Sequence, residues 1–89
     1  MPFRPIAVVK PKGRAASLPI WQPLNAEEAN DEWIYHWRLA YAAMEAGDEK
    51  ALSLLEQLNA ERPDDVTCEL HLERWREGAR DVEIVMESK

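Results

Sequence analysis

Residues 1–24 carry short, strand-like hydrophobic patterns. Pro-Ile-Ala-Val-Val at 5–9 is a compact apolar, β-prone run, and residues 17–21 alternate, with Leu18 and Ile20 on one face. Lys10-Pro11-Lys12-Gly13-Arg14 stands between them as turn punctuation, so the pattern predicts two short strands. Pro5, Pro11 and Pro19 cannot donate to a ladder, which restricts these strands to sheet edges or their own end residues. A lone two-stranded hairpin is marginal in water, so this one needs a surface to lean on. Pro23 marks the exit.

From residue 25 the period becomes helical. Asn25-Ala26-Glu27-Glu28 has the form of a capping box, and Asn30 or Asp31 is a competing start, so a first helix runs from about 26–31 to Ala46. Trp33, Trp37, Ala40 and Met44 recur on one face with Tyr41 beside them, and Gly47 ends the run. Asp48 caps a second helix with the stripe Ala51, Leu54, Leu55 and Leu58, which Pro63 stops. Asp64 or Asp65 caps a third, with Cys68, His71, Leu72 and Trp75 on one face and Gly78 at its end. Connections this short make neighbouring helices antiparallel. The tail alternates weakly at Val82, Ile84 and Met86 and reads either as a short edge strand or as a frayed end. The expected fold is mainly α: a basic β-hairpin or extended arm at 1–24, three antiparallel helices at 25–78, and a tail at 79–89.

Charge sharpens this division. The 89 residues have a net charge of −6, unevenly distributed. Residues 1–24 hold Arg4, Lys10, Lys12 and Arg14 and no acid, whereas residues 25–89 hold seven bases against seventeen acids. The acidic body argues against nucleic acid as a partner. No apolar run approaches the roughly 18–20 residues of a membrane span, and the N-terminus lacks the apolar centre of a secretory signal. The single cysteine, Cys68, cannot form an internal disulfide, which suits a reducing, cytoplasmic setting. Cys68 and His71 stand on adjacent helical turns, but zinc needs about four ligands and His36 is the only other histidine. No cofactor is expected.

Tyr41-Ala42-Ala43-Met44-Glu45-Ala46-Gly47-Asp48-Glu49-Lys50-Ala51, followed by Leu55, Leu58 and Pro63, resembles one tetratricopeptide-type helical hairpin. In such a unit the small Ala51 permits close helix approach and the glycine makes the turn. A single unit leaves an apolar face open, which the third helix would cap.

A second resemblance joins both halves of the chain. Phe3-Arg4-Pro5-Ile6, then Val9-Lys10-Pro11-Lys12-Gly13-Arg14, then Leu18-Pro19-Ile20-Trp21-Gln22-Pro23-Leu24 looks like the terminal hairpin of a class III nucleotide cyclase domain. Many bacterial members continue into a helical tail whose order is matched here by Ala46-Gly47-Asp48, Ala51, Pro63-Asp64-Asp65 and Leu72-Glu73-Arg74. Trp75 stands where that family often has cysteine. The resemblance spans about residues 3–76. It implies a parent enzyme that cyclises a nucleoside triphosphate with two metal-binding aspartates and an Asn/Arg pair, all upstream of the hairpin and so matched by no residue here. Only Lys12 matches a functional position, the lysine that reaches the triphosphate in some members. This chain by itself is therefore expected not to be an enzyme.

Two readings of function follow. The first is a non-catalytic C-terminal module of such a cyclase, serving packing, dimerisation or regulation. The second is a freestanding tetratricopeptide-like adaptor. Either takes a protein partner, by self-association or with the rest of a cyclase, through Ile6, Val8, Ile20 and Trp21 of the hairpin or Trp33, Tyr41 and Trp75 of the helices.

Overall fold

In the computed structural model, which describes residues 2–11 and 16–86 apart from the side chains of Val85 and Met86, both competing helix starts are used. Asn25 Oδ1 accepts the Glu28 N–H at 2.8 Å and Glu28 Oε1 accepts the Asn25 N–H at 3.0 Å, closing the capping box on a single turn, α1 (Ala26–Ala29). The chain bends at Asn30, and the Asp31 carboxylate accepts the Trp33 N–H at 2.9 Å to start α2 (Glu32–Glu45). Asp48 accepts the Lys50 N–H at the head of α3 (Lys50–Glu61), and Asp65 accepts the Cys68 N–H at the head of α4 (Val66–Arg76). Gly47 (φ +69°) and Gly78 (φ +112°) supply the left-handed conformations that end α2 and α4.

The sheet corrects the expectation of a mainly α chain in which a hairpin or arm precedes three helices. The molecule is mixed α/β, with four helices and a three-stranded sheet of order β2-β1-β3 among the described residues. β1 (Phe3–Pro11) pairs antiparallel with β2 (Leu18–Pro23), from Phe3↔Pro23 to Val9↔Leu18, with a bulge between Pro5 and Ala7. β3 (Glu83–Met86) pairs parallel with β1, from Val8↔Glu83 to Pro11↔Met86. β1 is thus the central strand. Its prolines are tolerated there because Pro5 borders the bulge and Pro11 is the last strand residue. The fourth helix appears because the capping box closes a turn of its own. The third strand appears because the edge of β1 away from β2 is open, and the Gly78 turn returns the tail to it.

The helices pack in sequence order, α2 on α3 and α3 on α4, and α2 also meets β1. Trp37, Ala40 and Met44 of α2, Ala51 and Leu55 of α3 and Cys68 of α4 have no exposed surface, and Leu72 and Trp75 almost none. Trp33 and Trp37 stack with centroids 6.0 Å apart. The three buried tryptophans all satisfy their indole N–H groups: Trp33 donates to Leu58 O (3.2 Å), Trp37 to Pro5 O (2.7 Å) and Trp75 to Asp81 O (3.0 Å).

Candidate docking face and the hairpin–helix junction

A buried arginine locks the sheet onto the helices. Arg4 Nη1 and Nη2 donate to the two carboxylate oxygens of Asp65, each at 2.9 Å. The guanidinium also lies 4.4 Å from the ring centroid of Trp37 and 5.1 Å from that of Trp33. The planar, delocalised cation suits both roles: its fork matches a carboxylate and its face lies on indoles. Asp65 is at once this partner and the cap of α4. Burial pushes its carboxyl pKa upward, but the hydrogen bonds from Arg4 and the Cys68 N–H prevail and hold it below the usual value. Arg62 completes the cluster, paired with Asp31 and lying 4.9 Å from the Trp33 ring. The Asp31 pKa is likewise lowered, chiefly by the Arg62 hydrogen bond and then by the Trp33 N–H. Arg4, Asp31, Arg62 and Asp65 border a hollow of about 150 Å³, and these four charges pair with one another.

His71 makes a second junction. Its Nε2 lies 2.8 Å from the carbonyl of Ile6, the residue the β1 bulge sets out of register, and its Nδ1 lies 2.9 Å from Arg74 Nη1. A guanidinium only donates, so Nδ1 accepts and Nε2–H donates to Ile6 O; the ring is the neutral Nε2–H tautomer. Desolvation is the main cause that lowers its pKa from 6.5; the Ile6 carbonyl opposes the shift, and the positive charges of Arg74 and Arg4 reinforce it. Cys68, three residues earlier, is a core thiol 3.6 Å from Leu55 O, and burial pushes its pKa to about 11. Among the described residues no group of three His, Cys, Asp or Glu side chains converges to hold a metal ion.

Both faces of β2 are left exposed and each carries apolar side chains, Phe3 and Trp21 on one and Leu18 and Ile20 on the other. All six residues of β2 are exposed, Leu18 to 54%, Ile20 to 42% and Trp21 to 56%, and Phe3 beside them to 44%. Phe3 and Trp21 line a shallow hollow of about 350 Å³. Clustered exposed aromatic and aliphatic side chains mark an interaction site more than scattered ones do. The outer edge of β2, by contrast, is closed to strand addition. The Leu24 N–H points inward, to Pro2 O at 3.0 Å, so by the alternation of an antiparallel ladder residues 19, 21 and 23 turn their main chain outward. Pro19 and Pro23 have no N–H, which leaves Trp21 as the one donor on that stretch.

Of the positions expected to form an interaction surface, Ile20 and Trp21 are exposed, on opposite faces of β2. Ile6 and Val8 are half-buried, Val8 against the core. Trp33, Tyr41 and Trp75 are core residues, exposed by no more than 6%, and this corrects their assignment to an open helical face: α4 and the sheet close over it. Phe3, beside Trp21, and Leu18, beside Ile20 on the other face, are exposed too and were not expected in the surface; their place on the same short strands was the available signal. Lys12 lies outside the described residues.

No family model, curated protein or solved structure matches the chain. No described helix is long and apolar enough to cross a membrane.

Proposed function

We propose that the chain is a non-catalytic, cytoplasmic docking module: the C-terminal region of a class III nucleotide cyclase, which meets protein surface through its exposed hairpin, where Phe3 and Trp21 share one face and Leu18 and Ile20 the other. The observation that supports this most is the exposed apolar pair Phe3 and Trp21 on one face of the hairpin, on a β2 strand exposed along its whole length. In the resembling family these strands belong to a larger domain, whose remaining elements would supply the missing cover. The contacts Arg4–Asp65 and His71–Ile6 fix the helical tail to the hairpin, so the tail sets where that face points.

The test has two arms. Sequencing the transcript upstream of the Met1 codon reads whether a cyclase domain with paired metal-binding aspartates precedes it in frame; an unrelated or absent upstream reading frame removes the cyclase assignment. Light scattering on the purified chain and on Trp21→Ser reads the docking face. Concentration-dependent association that Trp21→Ser abolishes is expected, and a chain that stays monomeric at high concentration refutes self-association.

A second reading, a tetratricopeptide-like adaptor, draws on another observation. His36 and Leu39 of α2 and Leu54, Gln57, Leu58 and Glu61 of α3 line a groove of about 120 Å³ beside the exposed Tyr35. Peptide binding lost on Leu39→Ser and kept on Trp21→Ser selects this reading.

A further inference from the structure

We propose that His71 is a proton-operated latch on strand β3: adding a proton to its ring displaces Arg74, and Arg74 is what clamps β3 and the turn before it against β1. This goes beyond the docking reading and does not depend on it.

The clamp is explicit in the contacts. One guanidinium, Arg74, gives Nη1 to His71 Nδ1 at 2.9 Å and Nη2 to Asp81 Oδ1 and Glu83 O, both at 2.6 Å. It also reaches Asp81 O at 3.3 Å. Asp81 and Glu83 bracket the entry to β3. The strand itself is four residues long and pairs on one side only, with β1. Parallel pairing is slightly weaker per residue than antiparallel, and a short terminal strand belongs to the low-stability end of any structure. Its further attachments are the Val8 N–H to Val82 O (3.0 Å), the Trp75 indole to Asp81 O (3.0 Å), the exposed Ser17 hydroxyl to Glu83 Oε2 (2.9 Å), and the buried Val82 side chain.

Protonation acts on the one atom this arrangement needs as an acceptor. Nε2 already carries its hydrogen, directed at Ile6 O, so the added proton goes to Nδ1. Nδ1–H⁺ then faces an N–H of a guanidinium at 2.9 Å, so a hydrogen bond is replaced by two donors and two like charges. Ile6 O and the core hold the ring in place: it packs 6.0 Å from Trp37 and 6.4 Å from Tyr41, centroid to centroid, with no exposed surface. Arg74, whose side chain reaches the surface, is the group free to move.

The charges facing the ring support this direction. On α4 they are Arg74 and the neutral thiol of Cys68; on β1, Arg4; on α2, the neutral phenol of Tyr41; and on the turn before β3, Asp81. Asp81 is the one carboxylate that favours the charged ring. It is also bound to Arg74, and its side chain is 62% exposed, so its field is screened. When β3 lifts, the edge of β1 from Val8 to Pro11 is uncovered, whereas Pro19 and Pro23 close the outer edge of β2 to strand addition.

The experiment is amide exchange by mass spectrometry on the full chain, between about pH 7.5 and about pH 5, normalised to intrinsic rates at each pH. Below the ordinary histidine pKa of about 6.5 the opening constant of residues 79–86 should rise by up to about tenfold per pH unit, with α2–α4 still protected. His71→Gln should abolish that rise, because the amide can donate to Ile6 O and accept from Arg74 without titrating. In wild type, the His71 ring nitrogens followed by NMR should titrate at the same midpoint as the opening. Three results overturn the latch: no opening of 79–86 in wild type, equal opening in His71→Gln, or simultaneous loss of protection throughout the helices. If His71→Gln fails to fold, a mismatch between the ring and opening midpoints in wild type overturns it as well.

Discussion

Replacing Arg4 by alanine removes the one contact in which the N-terminal strand, two tryptophans of α2 and the cap of α4 all take part. The side chains of the Arg4–Asp65 pair are 7% and 18% exposed, so solvent screens it little. Removing one member of a buried pair costs about 3–5 kcal/mol, because the remaining charge is left without its partner. Two lost cation–π contacts contribute to the same total at about 0.5–2 kcal/mol each. A chain of this length has a stability of about 4–13 kcal/mol at ~0.05–0.15 kcal/mol per residue, so Arg4→Ala should bring it close to unfolding. Asp65 keeps its cap bond to Cys68, which is why α4 should survive better than the sheet. The assay is urea unfolding followed by tryptophan fluorescence and by circular dichroism, with coincident curves as the two-state check. A cycle with Arg4→Met and Asp65→Asn separates the pair from its surroundings, since asparagine caps a helix about as well as aspartate and methionine fills the slot between the indoles. The coupling should reach about 1.5–3 kcal/mol, the double variant losing much less than the two single losses together. A loss below about 1 kcal/mol for Arg4→Ala, or additivity within about 0.5 kcal/mol, refutes the view that this pair locks sheet to helices.

Three further outcomes are expected. Trp37→Ala and Leu55→Ala should each cost about 2–5 kcal/mol in the same unfolding assay, since neither has any exposed surface; losses typical of surface changes would mean that the helix faces are misassigned. Cys68 should react with a thiol reagent far more slowly in the native protein than in urea, because burial pushes its pKa to about 11 and shields it; equal rates would place it at the surface. Stability should fall in two stages with acid. The His71 pKa is depressed, so its contribution is complete above 6.5 and declines below it; those of Asp31 and Asp65 are depressed too, so theirs are complete above 3.8 and decline as the pH falls through their folded values. A denaturation midpoint that is flat down to about pH 4.5 contradicts the first stage.

The helical half was legible because its signals are local. Asn25, Asp31 and Asp65 announce helix starts through bonds that span two or three residues, and Trp33, Trp37, Met44, Leu55, Leu58, Leu72 and Trp75 recur at helical spacing and are all buried. The two competing starts near residue 25 posed a choice that the chain does not make, since one turn of α1 fits between them. The sheet was less legible. Alternation at Val82 and Ile84 indicates a strand but says nothing of which edge it joins or in which direction. Proline content pointed to edge strands, yet β1 is central; a bulge is invisible to a rule that counts prolines.

The hairpin–helix junction was hidden for a related reason: its partners are far apart in the chain. Counting charges makes Arg4 one of four bases in a solvated arm, whereas it is 5% exposed and bound to a carboxylate 61 positions away. The available signal was the pair Trp33 and Trp37, four residues apart, whose rings form a platform that a planar cation can lie against. The same junction decides which residues remain outside. With Arg4 turned toward α2 and α4, the pleat turns its neighbour Phe3 to the other face of β1, and the pairing Pro5↔Trp21 keeps Trp21 on that face with it. Apart from Tyr35 of α2, the large aromatic residues at the surface are therefore those of the strands, and Trp33 and Trp37 are in the core with an arginine from the strand lying over them. A partner that reaches this molecule at the hairpin meets side chains rather than a free backbone edge, since Pro19 and Pro23 remove the donors that strand addition needs.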